Sequence, residues 1–340
     1  MLGESHGALC SDHDLAMLDL DGVVYIGPDA VPGAAEHLDA VRAEGMRLAF
    51  ITNNAARPPE AVAEHLRSLG VDAAPGDVVT SAQAAARVLV DRLGAGARVI
   101  LLGAAGLAEA LAAEGLVATG VSDDDAQAVV TGYGPDVLWR DIMRAAVRVR
   151  EGLWWVASNS DYTIPTPYGV APGHGVLVET LRRFTGVEPV VAGKPQRPLL
   201  DETVRRVGGE RPLMVGDRLD TDIEGARNAG LPSLLVLTGV TGLAELVAAR
   251  PQERPTYVAA DLGGLLQTHR APREAGGAWE LGGWSARVGD GSLSVTGDGG
   301  PDDWWRVVAC AAWAATDLGT EVPDTAGLEP PPPAAAPRDR

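Results

Sequence analysis

A chain of 340 residues, 46 % hydrophobic and 22 % charged, is long enough for two cores and has an ordinary globular balance. Its net charge of −18 argues against nucleic acid and anionic membrane surfaces as partners, both being polyanions. No run approaches the roughly 18 apolar residues of a bilayer span, and the start MLGESHGALCSDHD has no basic region followed by an apolar one. Two cysteines, Cys10 and Cys310, make neither a disulfide framework nor a zinc site by themselves. The expectation is a cytoplasmic protein with both thiols free.

The apolar run Leu15–Leu18 predicts a buried strand that delivers Asp19 and Asp21, after which Gly22 permits a sharp turn. Side chains two apart on a strand point the same way, so both carboxylates can address one reacting group. Their mutual repulsion is offset by a hard, oxygen-preferring cation such as Mg²⁺. A lone DxD is more often a strand end with turn carboxylates; the later segments decide between the two. Residues 32–45 predict a helix opened by Pro and closed by Gly. Residues 46–52 predict a strand ending in Thr52-Asn53-Asn54, 58–70 a helix and 77–81 a strand. This alternation means βαβ units and a parallel sheet, whose ligand crevice lies outside the carboxyl ends of the strands.

From 82 to 186 the alternation continues without acidic strand ends, with strands over 98–103, 128–132 and 153–159 and helices over 107–115 and 138–152. It reads as a separate α/β insertion. Arg140, Arg144 and Arg148 share a helical face, taken as solvated, and Asp123-Asp124-Asp125 is taken as a solvent-facing turn. The stretch 159–175, NSDYTIPTPYGVAPGHG, predicts a rigid loop. Asn159, Asp161, Tyr162, Thr163 and His174 are its recognition candidates, a plain connector being the equal alternative, with His174 alone taken as structural.

Residues 189–193 lead into Lys194-Pro195, followed by a helix to 207. Strand 212–216 empties into Asp217-Arg218-Leu219-Asp220-Thr221-Asp222; a helix over 223–230, strands over 233–237 and 257–259, and a last helix from 262 follow. The fold class is therefore α/β, a Rossmann-like parallel core carrying an insertion. Five of the eight tryptophans fall in 271–340, too many for disorder. Two strands within 279–296, turning at Gly289-Asp290-Gly291, and a helix over 302–318 predict a small α+β appendage, ending in the Pro-rich EPPPPAAAPRDR.

Four strand-end segments thus address one rim: Asp19/Asp21, Thr52/Asn53, Lys194 and Asp217/Asp222. Phosphoryl transfer suits such a set, because its catalysis is mostly positioning and charge stabilisation. A neutral hydroxyl and amide, Thr52 and Asn53, can hold phosphate oxygens, and Lys194 adds a point charge.

DLDG, TNN, GKP and GDRLDTD, in this order, resemble the haloacid dehalogenase superfamily of phosphohydrolases. The long insertion, the loop 159–175 and GLPSLLVLTGV are similar to its subfamily with an α/β cap, which contains glycerol-phosphate, nitrophenyl-phosphate, pyridoxal-phosphate and nucleotide phosphatases. The resemblance covers residues 14–266 and implies a core over 1–81 and 187–270 with a cap over 82–186. It implies that Asp19 is the nucleophile and Asp21 the general acid and base, with Lys194 as catalytic and phosphate-binding cation. It places Mg²⁺ on the carboxylates of Asp19 and Asp217 and the main-chain carbonyl of Asp21, Asp222 behind them, and Asn159 and Asp161 facing the substrate from the cap. Asp220 is taken as a solvent or helix-terminal charge. The implied substrate is a small phosphorylated alcohol, glycerol 3-phosphate foremost, with nucleotides or pyridoxal phosphate as rivals; the partner is thus a small phosphorylated metabolite. A homodimer stays open, whereas nucleic acid and membrane insertion are excluded. A regulatory protein on a vestigial phosphatase core is the alternative from another class, opposed by the intact acid set. The appendage loosely resembles a truncated acetyltransferase-like segment of actinobacterial-type glycerol-phosphate phosphatases. It lacks a pyrophosphate-binding glycine turn, so no second activity is expected.

Overall fold

The computed structural model describes residues 1–166 and 168–332, and the chain separates into two compact units. The first takes 1–48, 69–72 and everything from 209 onward; the second takes 49–68 and 73–208.

In the first unit four parallel strands lie in the order Tyr257–Ala259, Ser233–Val236, Pro212–Gly216 and Leu15–Leu18. Leu15–Leu18 is fully buried, as a strand covered on both faces must be, which is why it reads as an unbroken apolar run. The register pairs Leu15 with Pro212 and Leu18 with Val215, and the Asp19 N–H donates to the Val215 carbonyl at 2.9 Å. Asp19 and Gly216-Asp217 therefore leave the sheet side by side at its carboxyl edge. The DRLDTD segment opens with a π-turn, Leu219–Ile223, before helix Glu224–Ala229.

In the second unit strand Arg47–Thr52, all but its first two residues, pairs in parallel with Val78–Thr80. A further parallel sheet of five strands has the order Val190–Val191, Trp154–Ala157, Ala128–Thr131, Arg98–Leu102, Val117–Thr119. Its core centres on Trp155, 1 % exposed, whose indole N–H donates to Thr131 Oγ1 at 3.1 Å. The helices Trp139–Arg150 and His174–Thr185 add Ala145, Val149, Val178 and Leu181 to that cluster.

The segment expected as a rigid loop is folded. Thr163–Thr166 and Gly169–Pro172 pair antiparallel, and a helix starts at His174. A two-stranded ribbon is all edge, so prolines break no ladder there. Of the carboxylates at 123–125, Asp124 and Asp125 are exposed, as a solvent-facing turn requires, whereas Asp123 is paired, its Oδ2 lying 2.7 Å from Arg98 Nη2. Cys10 and Cys310 are both free and buried.

The C-terminal region holds four antiparallel strands, Arg273–Ala275, Ala278–Leu281, Trp284–Gly289 and Ser292–Gly297, rather than two, followed by helix Pro301–Asp317. Asp290 (φ +49°) and Gly291 (φ +76°) make the two-residue turn their sequence predicts. The helix packs on the first unit's core, joining Trp304, Trp305 and Trp313 to Leu219, Ile223, Leu235, Leu246 and Val258. Buried Arg306 fastens it, donating to the Val258 carbonyl at 3.1 Å, to Asp303 at 3.0 Å and to His269 Nδ1 at 3.0 Å. Burial first, and then the Arg306 charge, lower the His269 pKa to about 4, so the ring stays neutral and accepts from the guanidinium. The Pro-rich end from 333 onward lies outside the described residues.

Trp313 is fully buried and its indole N–H donates to the Leu246 carbonyl at 2.8 Å. Trp313→Ala removes that bond and leaves a large void, so it is expected to lower the unfolding free energy by about 3–5 kcal/mol. Urea unfolding of the full chain measures this; a loss under about 1 kcal/mol would mean that the helix does not close the core.

Candidate active site

Two groups of polar side chains stand at strand ends, one in each unit. In the first unit Asp19, Asp217 and Asp222 each offer a carboxylate oxygen, and the three oxygens lie within 4.8 Å of one another. Asp217 and Asp222 are fully buried and Asp19 is half-buried. Asp222, expected behind the ligands, lies in the π-turn Leu219–Ile223 and offers its oxygen within the same 4.8 Å. Its Oδ2 accepts from the Arg218 N–H at 3.1 Å.

Asp217 is held from the next strand's exit, where the Val240 N–H donates to its Oδ2 at 2.7 Å. Three glycines make room for the group. A Cβ on Gly22 (φ +86°) would lie 2.3 Å from Asp217 Oδ2, one on Gly239 2.0 Å from that oxygen, and one on Gly216 2.2 Å from Asp222 Cβ. Thr238 Oγ1 donates to the Gly22 carbonyl at 2.6 Å and so locks the turn after Asp21. Thr238, Gly239 and Val240 close the stretch GLPSLLVLTGV, which carries part of the resemblance but to which the sequence assigned no role at the site.

Asp21 sits on the exposed side of that turn. Desolvation by the surrounding chain, and then the charge of Asp19, push its carboxyl above the ordinary carboxylate range. The Gly27 main chain and Arg218 pull the other way. Asp220 forms an ion pair with Arg218 at 2.9 Å and takes no part in the carboxylate group.

In the second unit Thr52, Asn53, Asn159, Asp161 and Lys194 come together. Lys194 is 2 % exposed. Its main-chain N–H donates to Asn53 Oδ1 at 2.8 Å, and its carbonyl accepts from Asn53 Nδ2 at 3.0 Å. The same Nδ2 reaches Asp161 Oδ1 at 2.9 Å. The Asn53 side-chain amide, expected on phosphate, is therefore fully used inside the protein, because both of its ends meet main chain or carboxylate before solvent. Asn159, expected to face substrate, is 4 % exposed and donates from Nδ2 to the Asn53 carbonyl at 2.7 Å. Ser81 Oγ donates to the same carbonyl at 2.6 Å; this residue also escaped the sequence reading. Thr52 Oγ1 accepts from the Asn54 N–H at 3.1 Å. A Cβ on Gly193 would lie 2.6 Å from Asn53 Oδ1, which fixes the glycine of GKP.

An all-carboxylate oxygen set within 4.8 Å suits a hard divalent cation, Mg²⁺ rather than a thiolate- or imidazole-seeking metal. Parallel α/β sheets with acids at adjacent carboxyl edges and a partly exposed second aspartate define a hydrolase of the phosphatase type. Two family models match the chain, a haloacid dehalogenase-like hydrolase over residues 16–117 and a HAD-hydrolase-like family over 191–265. The chain belongs to the haloacid dehalogenase-like hydrolases. It is 44 % identical to the D-glycerol 3-phosphate phosphatase of Mycobacterium tuberculosis over 321 residues, covering 91 % of this chain and 88 % of that one. The crystal structure of a glycerol phosphate phosphatase from that organism, in complex with magnesium, superposes with a TM-score of 0.83 at 42 % identity, covering 93 % of this chain and 94 % of the other. The 4-nitrophenylphosphatase of Thermotoga maritima matches with a TM-score of 0.70 at 31 % identity, over 76 % of this chain and 98 % of its own.

Proposed function

We propose that the protein is a Mg²⁺-dependent phosphomonoesterase that hydrolyses glycerol 3-phosphate in the cytoplasm through an aspartyl-phosphate. The observation that carries this reading is the convergence of Asp19, Asp217 and Asp222 oxygens within 4.8 Å, beside a second aspartate with a raised pKa. The identity to a D-glycerol 3-phosphate phosphatase across nearly the whole chain supports the substrate.

Asp19, Asp217 and Asp222, with the Asp21 carbonyl, hold the cation, which when bound offsets the repulsion between a carboxylate nucleophile and a phosphate dianion. Asp19 attacks phosphorus, and the bond to the alcohol oxygen breaks. Asp21 gives that oxygen a proton and later takes one from the water that hydrolyses the acyl phosphate. Thr52 and the main chain of Asn53 bind phosphate oxygens, and Lys194 faces the remaining charge. Residues 1–81 and 187–270 act as the catalytic core, 82–186 as the cap that excludes water and selects a small substrate, and 271–340 as an appendage without chemistry of its own.

Phosphate release from a panel of small phosphomonoesters, with Mg²⁺ and with a chelator, tests the reading. Glycerol 3-phosphate is expected to turn over, and chelation to stop it. Preference for a nucleotide or pyridoxal phosphate would move the substrate; release indifferent to chelation would overturn the metal site.

A further inference from the structure

His174 belongs to no step of the proposed reaction, yet it is 4 % exposed and stands at the first turn of a helix among polar main chain. Its Nδ1 lies 2.9 Å from the Asn159 carbonyl, which can only accept, so Nδ1 carries the proton. Asn159 in turn donates to the Asn53 carbonyl at 2.7 Å, and Asn53 brackets Lys194 through both main-chain groups at 2.8 and 3.0 Å. The line from imidazole to the Lys194 backbone is therefore continuous.

The glycines on either side show that this contact is built. A Cβ on Gly173 would stand 2.4 Å from the Asp161 carbonyl oxygen, and one on Gly175 2.2 Å from that of Ser160. Their N–H groups donate to the carbonyls of Tyr162 and Asp161 at 2.9 and 2.8 Å. The turn 173–175 is thus pressed against 159–163, with His174 between the two glycines and its Nδ1 on the Asn159 carbonyl.

We infer that His174 is a positioning residue for phosphate binding: its Nδ1–H fixes Asn159, and through Asn53 it fixes Thr52-Asn53 and Lys194. The inference rests on the reading of those residues as the phosphate site. Burial lowers the His174 pKa to about 4, so the ring is neutral with a single donor near neutral pH. The same turn follows the hairpin Thr163–Thr166/Gly169–Pro172 and ties its end to the stretch that carries Asn159.

Two substitutions separate positioning from packing. His174→Asn keeps a donor near the place of Nδ1–H but loses volume; His174→Leu keeps volume but loses the donor. Positioning predicts that Leu lowers kcat/KM on the order of tenfold and weakens competitive inhibition by inorganic phosphate by a similar factor, while Asn stays within about threefold of the natural chain. A purely packing role predicts the reverse order, and that order, or a Leu variant equal to the natural chain, overturns the inference. Should the Leu variant fail to fold, Asn159→Asp, which removes the donor to the Asn53 carbonyl, is measured in its place with the same expected losses. An unmodified chain that releases no phosphate from any ester refutes the phosphatase reading itself; an active chain indifferent to these changes refutes only the role of His174.

Discussion

Asp19→Asn is expected to abolish phosphate release while the protein stays folded. The substitution changes one oxygen to an amide and barely alters volume. The strand that carries Asp19 is set by the pairing of Leu15–Leu18 with Pro212–Val215 and by the Asp19 main-chain N–H on Val215, none of which needs the carboxylate. Removing one of three carboxylates that crowd within 4.8 Å also relieves repulsion in the absence of metal. Thermal unfolding should therefore be unchanged or slightly later. An amide nitrogen cannot attack phosphorus at a useful rate, so kcat should fall on the order of 10⁴-fold or more, the scale on which losing a nucleophile is felt. Steady-state phosphate release with glycerol 3-phosphate and Mg²⁺, alongside a thermal melt, checks both halves. A folded Asp19→Asn variant retaining a tenth of the activity would remove Asp19 from the reaction and with it the covalent route.

Much of this arrangement is legible in the sequence because it rests on local rules. Four apolar residues followed by DLDG, or PLMVG followed by DRLDTD, state both the strand and what it delivers, since a buried parallel strand has to be apolar until it ends. The identities of Asp19, Asp217, Thr52 and Lys194 at strand exits follow from that rule. What escapes is set by pairing across the chain. That Asn53 turns its amide toward Lys194 and Asp161 cannot be seen in TNN, because the partners are more than a hundred residues away. Asp222 lies in a π-turn that precedes the helix, a detail that no residue in DTD announces. Other misses were readable. Thr80 and Gln83 form a capping box that opens helix Ser81–Leu93, with the Thr80 N–H on Gln83 Oε1 at 2.9 Å, and T-S-A-Q is its signature. The pairs Gly276-Gly277 and Gly282-Gly283, with φ between +58° and +94°, are the two hairpin turns that double the expected strands of the appendage.

Asp21→Asn carries the second large effect, and its size should depend on the leaving group. Asp21 stands at the exposed side of the turn that Thr238 locks, near enough to Asp19 to feel its charge. A raised pKa keeps its proton available to a higher pH than an ordinary aspartate would allow. Glycerol departs as a strongly basic alkoxide unless a proton reaches its oxygen, so loss of the acid falls on the first step. General acid catalysis contributes about 10²- to 10⁴-fold, and a loss of that order is expected for glycerol 3-phosphate. Nitrophenolate is stable as the anion and needs no proton to leave. With nitrophenyl phosphate the first step should be nearly spared, and only the later hydrolysis of the aspartyl-phosphate, where Asp21 acts as base, should be slowed. A burst of nitrophenolate equal to the enzyme concentration, followed by a slow steady rate, is then the signature in rapid-mixing kinetics. Equal losses on both esters with no burst would mean that Asp21 acts on neither proton and serves the metal site alone. The discrimination between esters therefore tests the chemical role of the side chain separately from its proximity to Asp19.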